Sequence, residues 1–284
     1  MPLINSARLN ILFVGGGKMM QAMASGLIAR GHSANTLFVF EPSVVTRDML
    51  SKTGMQVLKT IPDMVAVLAN INVIVLAVKP QIMQQALAPL ANKLNNQLVI
   101  SIAAGIRRKE LAKWLGYSQI VRAMPNTPAL IQAGITGLYA AATVDDGERA
   151  TAEALLSAIG KTAWFENEAM LDAVTAVSGS GPAYVFYAIE ALEQAAIKLG
   201  FNAADARLFA VETFRGAALL AAQSNDSPTQ LRNNVTSKNG TTEAAIAAFD
   251  HAGILPKFIA GVEAAAKRAT ELGDEFAEND KLLS

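Results

Sequence analysis

The stretch Leu9-Asn10-Ile11-Leu12-Phe13-Val14-Gly15-Gly16-Gly17-Lys18-Met19-Met20 decides the fold. Its first six residues read as a strand. From Met19 the apolar residues recur with helical spacing as far as Arg30, and Gly31 then stops the helix. A strand that turns through glycines into a helix is a ready seat for a pyrophosphate. The glycines let the backbone approach the phosphates, and the helix start offers unpaired N–H groups with a partial positive charge. A G-x-G-x-x-G pattern alone is weak, but between a strand and a helix it is a strong dinucleotide signal. Met20 stands where the third glycine would be, which predicts a looser helix–sheet contact there and leaves the phosphate-facing glycines intact.

Outward from this turn, short β-like runs alternate with helical patterns. Leu37–Phe40 reads as a strand followed by a helix over Val44–Ser51. Asn72–Val78, Gln97–Ile102 and Ile120–Met124 are further strands. Their apolar runs are continuous rather than alternating, which predicts a largely parallel sheet covered on both faces in a doubly wound α/β domain. Glu41, 24 residues after Gly17, ends the second strand, where an acid accepts hydrogen bonds from the adenosine ribose and repels a 2′-phosphate. Arg47, a helical turn later, is a candidate for the opposite preference.

From about Glu168 the chain turns Ala-rich with helical spacing. Helices are predicted over Pro182–Leu199, Ala203–Gln223, Thr241–Phe249 and Leu255–Leu272, with Asp274–Ser284 as a polar, frayed tail. The expected division is residues 1–167 and 168–284. The apolar faces of so small a helical domain predict an intertwined oligomer, because a small domain buries its surface poorly alone.

Composition narrows the function. Lys+Arg and Asp+Glu both number 24, so nothing favours nucleic acid or an anionic membrane. There is no cysteine, which excludes disulfide and thiolate chemistry, and His32 and His251 alone cannot make a His-rich metal site. The apolar run Ile11–Val14 is too short for a secretion signal, and no segment has the length of a membrane span, so a cytoplasmic location is expected.

Five further blocks carry a resemblance. They are Ala77-Val78-Lys79-Pro80, Ala103-Ala104-Gly105, Met124-Pro125-Asn126-Thr127-Pro128, Ser178-Gly179-Ser180-Gly181-Pro182-Ala183-Tyr184, and Val235-Thr236-Ser237-Lys238-Asn239-Gly240-Thr241-Thr242. Singly each is ordinary: a strand end, a loop, a proline at a helix start, a helix cap. In this order, over about residues 8–272, they resemble the pyrroline-5-carboxylate reductase family. The resemblance implies a Rossmann-type N-terminal domain, an all-helical dimerisation domain, an active site shared between subunits, and dimers assembled into a larger ring such as a decamer. The implied activity is reduction of L-1-pyrroline-5-carboxylate to L-proline, the last step of proline biosynthesis, with NADPH or NADH.

The resemblance also assigns residues. Val14, Gly15, Gly16, Gly17, Lys18, Met19, Glu41, Ala77, Val78, Lys79, Pro80, Ala103, Ala104, Gly105 and Asn234 would contact the cofactor, with Glu41 leaning towards NADH. Glu168, Ser237, Gly240, Thr241 and Thr242 would hold the substrate, and the Thr242 hydroxyl would meet the ring nitrogen. Two positions depart from the pattern. Asn239 replaces a second glycine, which Asn tolerates through its access to positive φ, and Met64 falls near an expected ribose-contacting asparagine. Two other enzyme classes and a binding protein compete. A β-hydroxyacid dehydrogenase would need a Lys and an Asn where Val185 and Ile189 stand. An imine reductase for a substrate without an acid group would not need the carboxylate-binding turn. A non-catalytic nicotinamide-binding regulator would not oxidise the cofactor.

Overall fold

The unbroken apolar runs become strands with no exposed face. In the computed structural model, which describes residues 9–282, Ile11–Val14 (β1), Val73–Leu76 (β4) and Leu98–Ser101 (β5) are buried at every residue. With Leu37–Phe40 (β2), Gln56–Leu58 (β3), Ile120–Met124 (β6), Gly134–Ala140 (β7) and Gly160–Trp164 (β8) they form one sheet in the order β3-β2-β1-β4-β5-β6-β7-β8. All neighbours are parallel except β6 and β7. The residues 1–8 weighed as a leader, and residues 283–284 of the tail, lie outside the described residues.

Helices α1 (Lys18–Ala29), α2 (Val44–Leu50), α3 (Ile61–Val67), α4 (Met83–Leu87), α5 (Arg108–Leu115) and α6 (Asp146–Leu156) connect the strands. Because side chains alternate along a strand, Ile11 and Phe13 enter one core with Met23, Leu27 and Leu155. Leu12 and Val14 enter the other with Met64, Met83 and Leu111. Three expectations change here. Met20 is fully buried and fills the α1 contact rather than loosening it, while close approach is supplied one and a half turns later by Gly26 against Ala158. Met64 is also fully buried, so it cannot reach a ribose. Asp274 does not begin a frayed tail, because the last helix continues through it to Leu282.

The chain divides into two compact units, Met1–Ser180 with Ala265–Ser284, and Gly181–Ala264. The first therefore keeps α7 (Met170–Val174) and the wide turn Thr175–Gly179 that follows it. The second holds α8 (Gly181–Lys198), α9 (Ala203–Gln223), α10 (Pro228–Asn234), α11 (Thr241–His251) and the start of α12 (Ile254–Leu282). Within it only Ala206 and Ala210 are buried, while Phe186, Leu208, Phe209, Leu220 and Phe258 are more than half exposed. No single helix among the described residues is long and apolar enough to cross a membrane.

Candidate active site

The sheet reverses direction of growth at β1, which pairs with β2 on one side and β4 on the other. A crevice opens beyond the carboxyl ends of the strands at such a switch point. Here it is a cleft of about 550 Å³ lined by Val14, Gly15, Gly16, Gly17, Glu41, Ala77, Val78 and Lys79, together with Ile61, Ile82 and Gln85. The structure thus brings most of the expected cofactor residues into one place. Lys18 and Met19 open α1 beside it, and Pro80 follows Lys79.

Each glycine has its own reason. Gly15 has φ +103°, and a Cβ there would lie 2.8 Å from the Ala77 carbonyl oxygen and 2.9 Å from Val78 Cγ1, so only glycine lets β1 leave this close to the end of β4. Gly17 is different. Its backbone is extended, it caps α1 without a side-chain hydrogen bond, and nothing lies within 4 Å of its Cβ position. The chain itself does not require glycine there, whereas a phosphate drawn against the first N–H groups of α1 does. The cleft therefore fits a dinucleotide.

Glu41 lines the cleft from the end of β2. Its Oε2 accepts from the Gly16 N–H at 2.8 Å and its Oε1 from the Ser43 N–H at 2.8 Å. Arg47 donates to the carbonyls of Pro42 (2.6 Å) and Glu41 (3.1 Å), so its guanidinium braces the loop. The exposed Ile61 and Ile82 flank the cleft as apolar surface suited to an aromatic base. The sequence signal for them was an isoleucine in a polar stretch soon after a strand end.

Ala103, Ala104 and Gly105 follow β5 and do not line this cleft. Gly105 lies next to α12, where Phe276 and Leu272 approach it. Glu168 is set apart from the cleft as well. Its Oε1 accepts from the buried Arg122 side chain at 2.9 Å and from the Arg108 N–H at 2.6 Å. The carboxylate expected at the substrate is therefore engaged by an internal cation and a helix start.

In the second unit, Asn234 and the turn Thr236–Thr242 are built around α11. Gly240 is the N-cap, and without a side chain it leaves the first N–H groups of the helix uncapped. A Cβ on Gly240 would collide with Ser237 Oγ, so glycine is required by that approach. Asn239 takes φ +58°, the left-handed conformation expected of it, and its N–H donates to Glu243 at 2.6 Å. Asn234 is exposed and its amide is oriented by Gln230 at 2.7 Å and Asp226 at 3.4 Å. The turn presents backbone donors and hydroxyls, a combination that seats a carboxylate.

A glycine-loop cleft at the switch point of such a sheet defines a nicotinamide-dinucleotide-binding oxidoreductase domain. Residues 10–105 match the family described as NADP oxidoreductase, coenzyme F420-dependent, and residues 168–272 match pyrroline-5-carboxylate reductase dimerisation. The pyrroline-5-carboxylate reductase of Pseudomonas aeruginosa is 41% identical over 272 residues, covering 94% of this chain and 98% of that protein. A pyrroline-5-carboxylate reductase structure from Coxiella burnetii superposes with a TM-score of 0.86 at 40% identity, covering 93% of this chain and 98% of that one. That of Plasmodium falciparum, solved with NADP bound, gives 0.83 at 26% identity over 94% and 99%. The chain belongs to the pyrroline-5-carboxylate reductase family. Its helical segment matches the family's dimerisation region, which supports a homo-oligomer.

Proposed function

We propose that this chain reduces L-1-pyrroline-5-carboxylate to L-proline with NADPH or NADH, completing proline biosynthesis. The observation that carries this reading is the Gly240-capped start of α11, an anion seat with hydroxyls beside it, in a chain that also carries the glycine-loop cleft. Gly15, Gly16 and Gly17 with the first turn of α1 hold the pyrophosphate, and Val14 and Ala77–Pro80 form the wall along it. Glu41 holds the ribose, and its charge at that position favours NADH. Ala103–Gly105 stand outside the cleft, at the carboxyl end of β5 next to β4, and would meet the part of the cofactor that extends past it; Asn234 is a further expected contact. Bound in this way, the reduced nicotinamide supplies the hydride that the imine carbon takes up.

The N–H groups of Thr241 and Thr242 and the Ser237 hydroxyl hold the substrate carboxylate, with Gly240, whose own N–H is donated to the Ser237 carbonyl, shaping the turn. The Thr242 hydroxyl hydrogen-bonds the ring nitrogen, which becomes the neutral secondary amine when the hydride adds and then takes a proton from solvent. A protonated imine is already an electrophile, so orientation rather than a strong acid supplies the acceleration. Glu168 is the acidic residue expected near the substrate; its Oε1 is held by Arg122 and the Arg108 N–H, which leaves Oε2 for that role. The domain division at residue 168, a cytoplasmic location and a ring of dimers such as a decamer belong to the same proposal. A steady-state assay with this imine and each reduced nicotinamide tests it. Absence of imine-dependent oxidation of either cofactor refutes it.

A further inference from the structure

We propose that Glu168 and Asp274 are positioning residues for the Ala103–Gly105 loop, with Phe276 as its packing partner. The inference rests on the reading that this loop contacts the cofactor. The loop leaves β5 and ends at Arg107, the N-cap of α5, which supplies no side-chain cap of its own. Two carboxylates from distant parts of the chain meet that junction. Glu168 Oε1 takes the Arg108 N–H at 2.6 Å, in the first turn of α5, and the same oxygen takes Arg122 at 2.9 Å. Asp274, 167 residues from Arg107, takes its guanidinium at 2.6 Å.

Packing closes the loop from above. Gly105 has φ +77°, and a Cβ on it would stand 3.3 Å from the Phe276 ring and 3.7 Å from Leu272. Gly273 permits the approach, since a Cβ there would stand 3.2 Å from the Arg107 guanidinium and 3.3 Å from the Gly105 carbonyl oxygen. The loop is thus held at its far end by charge and at Gly105 by Leu272, Gly273 and Phe276 of α12. Hydride transfer is sensitive to ångström misplacement of the reacting atoms. Residues that do no chemistry but set this loop therefore control how the cofactor lies.

The test uses the full-length oligomer and compares Glu168→Ala, Glu168→Gln, Asp274→Asn and Ala104→Trp. Removing a charge-assisted hydrogen bond at the junction should lower kcat and raise KM for the reduced nicotinamide, together by about ten-fold in kcat/KM. KM for the imine should stay within about two-fold. Glu168→Gln, which keeps an acceptor for the Arg108 N–H but leaves Arg122 without its anionic partner, should recover only part of the loss, and Asp274→Asn, which likewise keeps an acceptor but loses the charge, should show a weaker form of the same pattern. A role confined to stability would lower the melting temperature and leave both KM values alone, which overturns the proposal. A rise in the imine KM alone would also overturn it, returning Glu168 to the substrate. If Glu168→Ala does not fold, the exposed Arg107–Asp274 pair carries the same comparison through Asp274→Asn. Ala104→Trp separates the proposal from the reading beneath it. Unchanged dinucleotide affinity there removes the loop from the cofactor site and the inference with it. Lost affinity there, with unaltered kinetics in the carboxylate variants, defeats the inference alone.

Discussion

Gly15→Ala and Gly17→Ala should fail in different ways. At Gly15 a side chain must adopt φ +103° and push against the Ala77 carbonyl and Val78. The backbone strain costs about 1–3 kcal/mol and the overpacking a similar amount. A combined loss of about 3 kcal/mol lowers the melting temperature by roughly 6–12 °C for a unit of this size. At Gly17 the backbone is already extended, with φ −69° and ψ 177°, and the Cβ position is open. Alanine at an N-cap costs about 1 kcal/mol or less relative to glycine, so the fold should survive. The methyl group instead enters the space beside the first N–H groups of α1. Losing one charge-assisted hydrogen bond to phosphate is worth roughly 1.5–3 kcal/mol, or about ten- to hundred-fold in Kd. Thermal melts without ligand, and nicotinamide-fluorescence titrations, separate the two effects. The reasoning is refuted if Gly15→Ala melts with wild type, or if Gly17→Ala binds NADH and NADPH within about two-fold of it.

Other variants probe other parts of the chain. Thr242→Val should lower kcat/KM about ten- to hundred-fold with dinucleotide affinity unchanged, whereas Thr241→Val should do less; near-wild-type rates in both would mean that the turn only starts a helix. Glu41→Ser should gain use of NADPH, and a wild type that already has much the lower KM for NADPH would show that the carboxylate does not repel the 2′-phosphate. His32 is buried with its Nε2 2.9 Å from the Leu9 carbonyl oxygen, and desolvation holds its pKa below the ordinary value. The unfolded chain then takes the proton first, so stability is retained above about pH 6.5 and falls on acidification below it; His32→Gln should lose that slope in urea midpoints measured across the window. Leu208→Asp with Phe209→Asp, both on exposed faces of α9, should shift light-scattering mass towards the monomer, and an unaltered mass would remove this face from the assembly.

The strand–glycine–helix unit was legible because its demands are local. Only glycine tolerates the Gly15 backbone, and the apolar run before it has no polar face to expose. For the same reason β6 appears with the bounds expected of it, Ile120–Met124. Strands β7 and β8 were not foreseen. Their sequences, Gly-Ile-Thr-Gly-Leu-Tyr-Ala and Gly-Lys-Thr-Ala-Trp, carry glycines and alanines with weak β preference, and pairing along the edge of an existing sheet decides them. The end of α12 was misread for a related reason. Asp274 and Phe276 look like a polar tail until Arg107 and Gly105, more than 160 residues away, are placed beside them.

The site divides along the same line. Gly240 and Asn239 could be read in sequence because a turn with a left-handed residue and an uncapped helix start restricts what can stand there. Glu168 could not. A carboxylate has no fixed role until the fold has placed the nearest cation, and here that cation is Arg122, brought in by β6 and only 6% exposed at its side chain. A guanidinium withdrawn so far from water needs an anionic partner, because an unpaired buried charge is strongly destabilising. Glu168, at 25% exposure, supplies it. The carboxylate nearest the start of the helical half is thus engaged within the first unit. Around the start of α11 the matching residues present hydroxyls and N–H groups, with Glu243 turned back onto Asn239. The first turn of α11 is not free of negative charge, since Glu243 stands in it, and the Asn239 N–H occupies one oxygen of that carboxylate.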